Sequence, residues 1–590
     1  MTIKCHYTKD FFSVSQALDD PYLTTSEYTG GSEPQEWVSY DFEVGSGAGA
    51  VAAAVPPPTS SHAANGSRVQ RERIKSSTPF FIYTSVSSSS SSSGYLYVCP
   101  EETPKDFWNA PLHTTLIDVN ALEQGIAVAS PEQFIDQWFP GHVKLPCLSS
   151  VTFQNYRHWD VVKAQLSQPM MTIDDVITAI EVYSPGFLNM MGKYIKYFFT
   201  KYLQPQVSNK FMSVILPKLQ QLALELPQLI TQPMPWLQPN SNMSMTMSKR
   251  QIACLLANQF FNTFPKQDKS AKLNKHQHMF HLFYSEIRPG KYNSNFEKVK
   301  CLLNYFDRVT SQDSTDATSS QVVSFHRRRL EAPPPEWSTM DTKLTRCLVK
   351  SDGFIEKQNN MLQVDFANKC VGGSVYGHGA IQEEIRFVTH PELLVSIMFT
   401  PELLADECLI VQGAERYSEC TGYGSSFRFV ADYIDPNAVD SVGRKLVTVV
   451  AIDALPVGHL PPNEQFKEPT LTRELNKAYV GFQKPDTSNS ATGSQTKPTA
   501  VATGNWGCGS FGGNPTLKFF IQWMAASYAG RDMLYLTFND IALTQILSQI
   551  STALHQKAFS VSDLWNIISM YCQFGLGVSL PEFMINNLQI

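Results

Sequence analysis

The chain has 590 residues, with 47 Lys and Arg against 53 Asp and Glu, a formal net charge of -6. That balance excludes a generally basic nucleic-acid binder, because phosphate contacts need clustered Lys and Arg; a polyanionic ligand has to be held by local loops. Hydrophobic residues make up 43%, enough for sizeable cores in roughly two to four domains. The 11 cysteines run from Cys5 to Cys572 without a repeated spacing or a CxxC pair. They match neither a disulfide framework nor a structural zinc site, and reduced thiols in a cytosolic or nuclear protein are expected. The start carries no apolar signal region and no apolar run reaches about 18 residues, so no membrane span is expected.

In chain order, residues 1–140 read as a low-complexity, largely disordered region. Gly45 to Ala54 is a Gly/Ala run, Pro56 to Pro58 follow, and Ser87 to Ser93 is polyserine. Such composition buries too little apolar surface to offset chain entropy. Phe80–Tyr83 and Tyr95–Val98 read as local strands or docking segments. The basic cluster Arg68, Arg71, Arg73 and Lys75 reads more readily as a solvated run than as a targeting signal.

Residues 141–315 read as an all-helical accessory domain. Thr172-Ile-Asp-Asp175 has the form of a capping box. Ile215, Leu216, Leu219, Leu222 and Leu226 recur at helical spacing, as do Ile252, Leu255, Leu256 and Phe260. A polar stretch at 309–320 then breaks the pattern. From 316 to 590, strand-like runs at Val322–Phe325, Leu362–Phe366, Leu409–Val411, Leu446–Ile452 and Leu534–Phe538 alternate with helical runs at Ile385–Val388, Glu392–Phe399 and Leu517–Ala526. Interleaved strands and helices predict an α/β domain with a parallel or mixed sheet. Residues 486–500, rich in Ser, Thr and Gly, read as a flexible insertion.

Three segments of the α/β block can carry chemistry. In the first, the strand ending near Asn368 runs into a Gly-rich loop and then a helix beginning near Gln382, with Glu383 and Glu384 in its first turn. Glycosidic cleavage needs a proton donor and stabilisation of an oxocarbenium-like centre. The helix N-terminus favours the carboxylate anion, whereas burial and a second carboxylate favour the acid. A Glu-Glu pair taken alone is most often a solvated helix start. The second segment is Gly504-Asn-Trp-Gly-Cys-Gly-Ser-Phe-Gly-Gly513, whose backbone N–H groups can cradle a pyrophosphate. Its Gly507–Gly512 stretch matches GxGxxG, but the polar stretch Thr487–Thr503 before it reads as a loop, against a dinucleotide fingerprint. The third segment is Tyr417–Tyr423, where Tyr423 follows a flexible Thr-Gly. Phe538, at the end of the last strand, is placed to stack on a base. His276, His278 and His281 lack an i, i+4 pair and read as surface or core histidines rather than metal ligands.

At these segments the sequence resembles animal-type poly(ADP-ribose) glycohydrolases. The resemblance rests on Val364-Asp-Phe-Ala-Asn368, Gly372-Gly-Ser374 spaced from Gln382-Glu-Glu-Ile-Arg-Phe387, Pro391–Leu394, Tyr417–Tyr423, Ile452–Leu455, Glu474–Tyr479 and Ala500–Cys508, with Gln251–Asn258 and Thr263–Pro265 in the helical block. It implies a macrodomain-like three-layer α/β/α fold with a mixed sheet on a helical accessory domain. It also implies hydrolysis of ribose–ribose bonds in poly(ADP-ribose) without metal or cofactor. Glu384 then matches the general acid and later base, Glu383 the carboxylate holding ribose hydroxyls, and Asp365 and Asn368 the groups orienting loop and ribose. Ile355, Glu356 and Gln382 match adenosine-side contacts. Gly504, Asn505, Gly507, Cys508, Gly509, Ser510 and Phe511 match the pyrophosphate loop, Tyr423 the clasp, and Phe538 the adenine stack. The implied partners are poly(ADP-ribose) and poly(ADP-ribosyl)ated proteins, handled by a monomer in nucleus and cytoplasm without direct DNA binding. Ser374 departs from the family's third glycine, and Cys420 from its usual aromatic residue. The competing readings are a catalytically weakened ADP-ribose reader, motivated by Ser374, a nucleotide-dependent oxidoreductase, and a scaffold recruiting partners through residues 1–140.

Overall fold

The computed structural model describes residues 96–98, 107–186, 188–266, 272–273, 278–284, 293–311, 320–461, 463–484, 499–575 and 577–589. All of them belong to one unit, Pro79–Ile590. Its strands are β1 His113–Thr115, β2 Thr152–Phe153, β3 Tyr156–Arg157, β4 Met243–Ser248, β5 Val322–Arg329, β6 Cys347–Lys350, β7 Leu362–Ala367, β8 Glu407–Gly413, β9 Ser418–Thr421, β10 Arg428–Asp432, β11 Lys445–Asp453, β12 Val501–Gly504 and β13 Met533–Leu536. Nine form a mixed sheet in the order β1-β4-β5-β8-β11-β7-β12-β13-β6. The strands β11, β7, β12, β13 and β6 run parallel, and β4, β5, β8 and β11 pair antiparallel.

Alternation along the strands builds a layer on each face, because successive side chains point to opposite sides. In β11, Val447, Val449 and Ala451 enter one core, shared with the helical block and residues 371–403. Val450 and Ile452 enter the other, shared with the helices Glu468–Phe482, Pro515–Tyr528, Ile541–Gln556, Val561–Met570 and Leu580–Leu588. The result is the expected three-layer α/β/α macrodomain-like fold. Strand β7 reads Leu-Gln-Val-Asp-Phe-Ala. Leu362 and Val364 fill the second core, while Gln363 and Asp365 are buried on the opposite face, beneath the helix Gln382–Thr389. Among the described residues, no helix is long and apolar enough to cross a membrane.

Four expectations are corrected. Order begins well before residue 140: β1 pairs parallel with β4 and thereby joins the large sheet. Tyr97 docks there too, its carbonyl accepting from Ala500 N at 2.9 Å. The helical block contains β4, in which Met243, Met245 and Met247 alternate with Ser244, Thr246 and Ser248. That period-2 signal stands in the sequence but reads as part of the helical block; both faces of the strand are buried, the polar one through Thr246 Oγ1 and Ser324 Oγ at 2.8 Å. Strand β12 lies immediately before the second Gly-rich loop, where a polar loop was expected; Thr503 is absorbed by pairing with Gln522 rather than by water. Finally, β13 stops at Leu536, and Phe538 sits outside it with φ +58°. The capping box at Thr172 and Asp175 forms as expected. Phe80–Tyr83, the basic cluster at 68–75 and most of the 486–500 insertion lie outside the described residues.

Candidate active site

The parallel strands β11, β7 and β12 end side by side, and the loops leaving their carboxyl ends build the site, the usual place for a ligand in such sheets. After β7 the chain makes a Gly-rich turn at residues 371–380 and enters the helix Gln382–Thr389. Glu384, at the third helical position, reaches back so that its Oε2 accepts from Ile381 N at 3.0 Å, half of a capping box. Its Oε1 accepts from Ser374 N at 3.0 Å. Glu383 accepts from Asn368 N at 2.9 Å and Gly372 N at 2.7 Å. Both carboxylates are therefore held by backbone N–H groups of one loop. Glycine is required at Gly373: a Cβ there would lie 2.6 Å from Glu383 Oε2 and 2.6 Å from Glu384 Oε1.

Asp365 completes a buried carboxyl cluster. Its oxygens have no hydrogen-bond partner among the described residues. Burial pushes it up to about 7, with Arg386 opposing and Glu384 adding. Glu383 is pushed well above the carboxylate range by burial and by the charges of Asp365 and Glu384, against the pull of its two N–H donors. Like charges in a desolvated site disfavour ionisation, so Asp365 and Glu383 both lean towards the acid form.

The second loop leaves β12 at Gly504 and ends at the helix Pro515–Tyr528. Trp506 is fully buried and donates from Nε1 to Ile452 O at 2.9 Å. Lys518 lies 4.1 Å from the centroid of the same indole and pairs with Glu474. Gly507, φ +72°, leaves no room for a side chain beside Ala454. The loop tip, Gly509 and Ser510, is exposed. Its base is rigid and its tip presents backbone, as an anion cradle requires. Two aromatics meet beside the site: the Tyr423 and Phe538 rings lie 5.2 Å apart, both well exposed. Gly424 N, next to Tyr423, donates to Ala380 O at 2.7 Å, tying this turn to the acid loop.

The other expected residues fall as follows. Ile355 is buried against Ala502, Leu534 and Leu536, and Glu356 stands in the same short helical turn, close enough to act on the charge of Arg386. The Gln382 amide is engaged with β7, accepting from Phe366 N at 2.8 Å and donating to Val364 O at 3.1 Å. Asn505 is likewise bound, to Thr537 O and Tyr535 Oη. Cys508 is half-buried and its thiol pushed up by desolvation. Ser374 is exposed and is not among the positive-φ residues, so it carries no backbone strain. His278 bonds Asn262, and His276 lies outside the described residues. Sequence reasoning missed Arg386, on the helix behind Asp365, and Lys298 of the helix Ser294–Ser311. For Lys298 a signal existed: it stands within the buried stripe formed by Asn295, Val299 and Leu302, where a charge is out of place.

The mixed sheet, the layer on each face and the Gly-rich loops at the strand ends define a macrodomain-type fold with a helical addition. Residues 334–545 match the family described as "Poly (ADP-ribose) glycohydrolase (PARG), Macro domain fold", and residues 203–327 match the one described as "Poly (ADP-ribose) glycohydrolase (PARG), helical domain". "Poly(ADP-ribose) glycohydrolase 1" of Arabidopsis thaliana is 35% identical over 387 residues, 55% of this chain and 69% of the relative. "Probable poly(ADP-ribose) glycohydrolase 2" of the same plant is 33% identical over 426 residues, 63% of this chain and 80% of the relative. "Poly(ADP-ribose) glycohydrolase 1" of Caenorhabditis elegans is 31% identical over 343 residues, 55% of this chain and 40% of the relative. The chain belongs to the poly(ADP-ribose) glycohydrolase family.

Proposed function

We propose that the chain hydrolyses ribose–ribose O-glycosidic bonds of poly(ADP-ribose) and releases ADP-ribose, with Glu384 as general acid and then base. The observation that carries this reading is the burial of Glu383, Glu384 and Asp365 together at the carboxyl end of β7, on backbone N–H groups of one Gly-rich loop. Glu384, the last residue of the Gln-Glu-Glu motif, delivers a proton to the departing ribose oxygen. Glu383 holds the ribose hydroxyls as an oxocarbenium-like centre develops, and Glu384 then takes a proton from the attacking water. Asp365 and Asn368 orient the ribose and the loop. The 504–511 loop binds the pyrophosphate, Tyr423 closes over the ligand, Phe538 stacks on the adenine, and Ile355, Glu356 and Gln382 line the adenosine side. Water is the only co-reactant.

The reading extends to a helical accessory domain at 141–315 and a catalytic domain at 316–590, supported by the separate matches at 203–327 and 334–545. The animal-type assignment rests on the Gly-rich spacer leading to Gln382-Glu383-Glu384. A monomer acting on poly(ADP-ribosyl)ated proteins in nucleus and cytoplasm, in the DNA damage response, follows from the family resemblance. The net charge of -6 supports the absence of direct DNA binding. The test is release of ADP-ribose from poly(ADP-ribose) by the wild type and by a folded Glu384→Ala variant. Release by the first alone is expected. No release by either, with ADP-ribose still binding, would leave a reader instead of a hydrolase.

A further inference from the structure

The loop that holds both catalytic glutamates is itself held from outside the sheet. Lys298, on the helix Ser294–Ser311, is fully buried. Its ammonium donates to Val375 O at 2.9 Å, Gly377 O at 2.6 Å and Gly379 O at 2.6 Å. An ammonium has three protons and no acceptor, so each proton here has its own carbonyl. Those carbonyls lie between the N–H groups that bind the carboxylates, Gly372 and Ser374 on one side and Ile381 on the other. With glycines at 372, 373, 377 and 379, the segment has little conformational preference of its own. Among the described residues no carboxylate pairs with the ammonium; three peptide dipoles and the field of Glu384 offset its desolvation, and burial pulls Lys298 down to about 7. An apolar side chain of the same length would fill this space without that cost, so packing alone does not account for a lysine here.

The same helix also fixes the opposite margin of the site. Glu297 accepts from Phe429 N at 3.0 Å, and Asn304 Nδ2 donates to Tyr417 O at 2.8 Å, both flanking the turn that carries Tyr423. We propose that Lys298 is a positioning residue for catalysis, clamping the loop at 372–381 so that Glu383 and Glu384 face the scissile ribose. The helical block thereby supplies part of the catalytic apparatus. This rests on the hydrolase reading above.

The test uses the full chain with Lys298→Met, which keeps the length and removes the donors, and Lys298→Gln, which keeps two donors without charge. The readouts are kcat and KM on poly(ADP-ribose), ADP-ribose affinity by calorimetry, melting temperature, and amide hydrogen exchange over 371–381. Lys298→Met is expected to lower kcat about 10- to 100-fold with KM and ADP-ribose affinity within about threefold. Exchange should quicken in 371–381 and not in β7 or β11, with Lys298→Gln intermediate. An unchanged kcat overturns the proposal. So does a kcat that falls only in step with melting temperature while exchange rises across the whole sheet. Should the Met variant not fold, the Gln variant is judged by the same criteria. If the wild type releases no ADP-ribose, the hydrolase reading fails, and loop exchange together with ADP-ribose affinity still decides whether Lys298 clamps the loop.

Discussion

Gly373→Ala is the sharpest perturbation of the proposed catalytic geometry, because its effect follows from two distances. The new Cβ would lie 2.6 Å from Glu383 Oε2 and from Glu384 Oε1. Ordinary carbon–oxygen contact begins near about 3.3 Å, so each oxygen must withdraw by about 0.7 Å. Those oxygens accept from Asn368 N at 2.9 Å and Ser374 N at 3.0 Å, and that withdrawal takes both bonds beyond useful length. The glycine also has φ +48°, where an alanine costs about 1–2 kcal/mol of stability. Misplacing a catalytic group by about 1 Å lowers turnover on the order of 100-fold, about 2.7 kcal/mol of activation free energy. Steady-state ADP-ribose release measures the first effect and urea unfolding the second. Gly125→Ala separates them: φ there is +82° with nothing within 4 Å of the added carbon, so stability falls and kcat does not. If Gly373→Ala kept kcat within about threefold of wild type, the loop would not be what sets the carboxylates, and the reasoning would be refuted.

Three further outcomes follow from the same geometry. Asp365, held up to about 7, keeps a proton that the unfolded chain has released; stability therefore falls as pH rises from about 4 to about 7 and levels off beyond. Melting curves of Asp365→Asn should accordingly gain on the wild type across that window, and parallel profiles would contradict the assignment. Tyr423→Ala and Phe538→Ala should each weaken ADP-ribose binding by about 1–3 kcal/mol in calorimetry while leaving the melting temperature unchanged, because both rings are exposed; a loss of stability without a loss of affinity would argue for packing. Ser374→Gly should leave kcat within about twofold, since the residue is exposed and its φ is not positive; a large gain would restore the idea of a weakened enzyme.

Much of the candidate site could be proposed from the sequence because it is local. The Gly-rich spacer and Gln382-Glu383-Glu384 lie within one strand–loop–helix unit, so their order on the chain is their order in space. Asp365 sits on the strand feeding that unit, sharing a face with Gln363, and is assigned through the family resemblance. The Gly504–Gly513 loop is also contiguous. What lay between segments was not legible: the Tyr423–Phe538 pair, Arg386 behind Asp365, and Lys298 reaching across from another helix. Strand β12 is short and buried on both faces, so alternation gives no signal there and it reads as loop; β4 does alternate Met with Ser and Thr, but it lies between helical segments and its pairing partners come from distant chain.

By itself the sequence determined the alternation that makes an α/β sheet, the glycines that allow a tight loop, and the chemical groups available to it, because these depend on near neighbours in the chain. Only the tertiary structure decided which carboxyls share one desolvated cluster and how far each is shifted. It also decided which lysine holds the loop. Burial and charge–charge distance are set by residues tens to hundreds of positions apart, and spacing along the chain carries no measure of either.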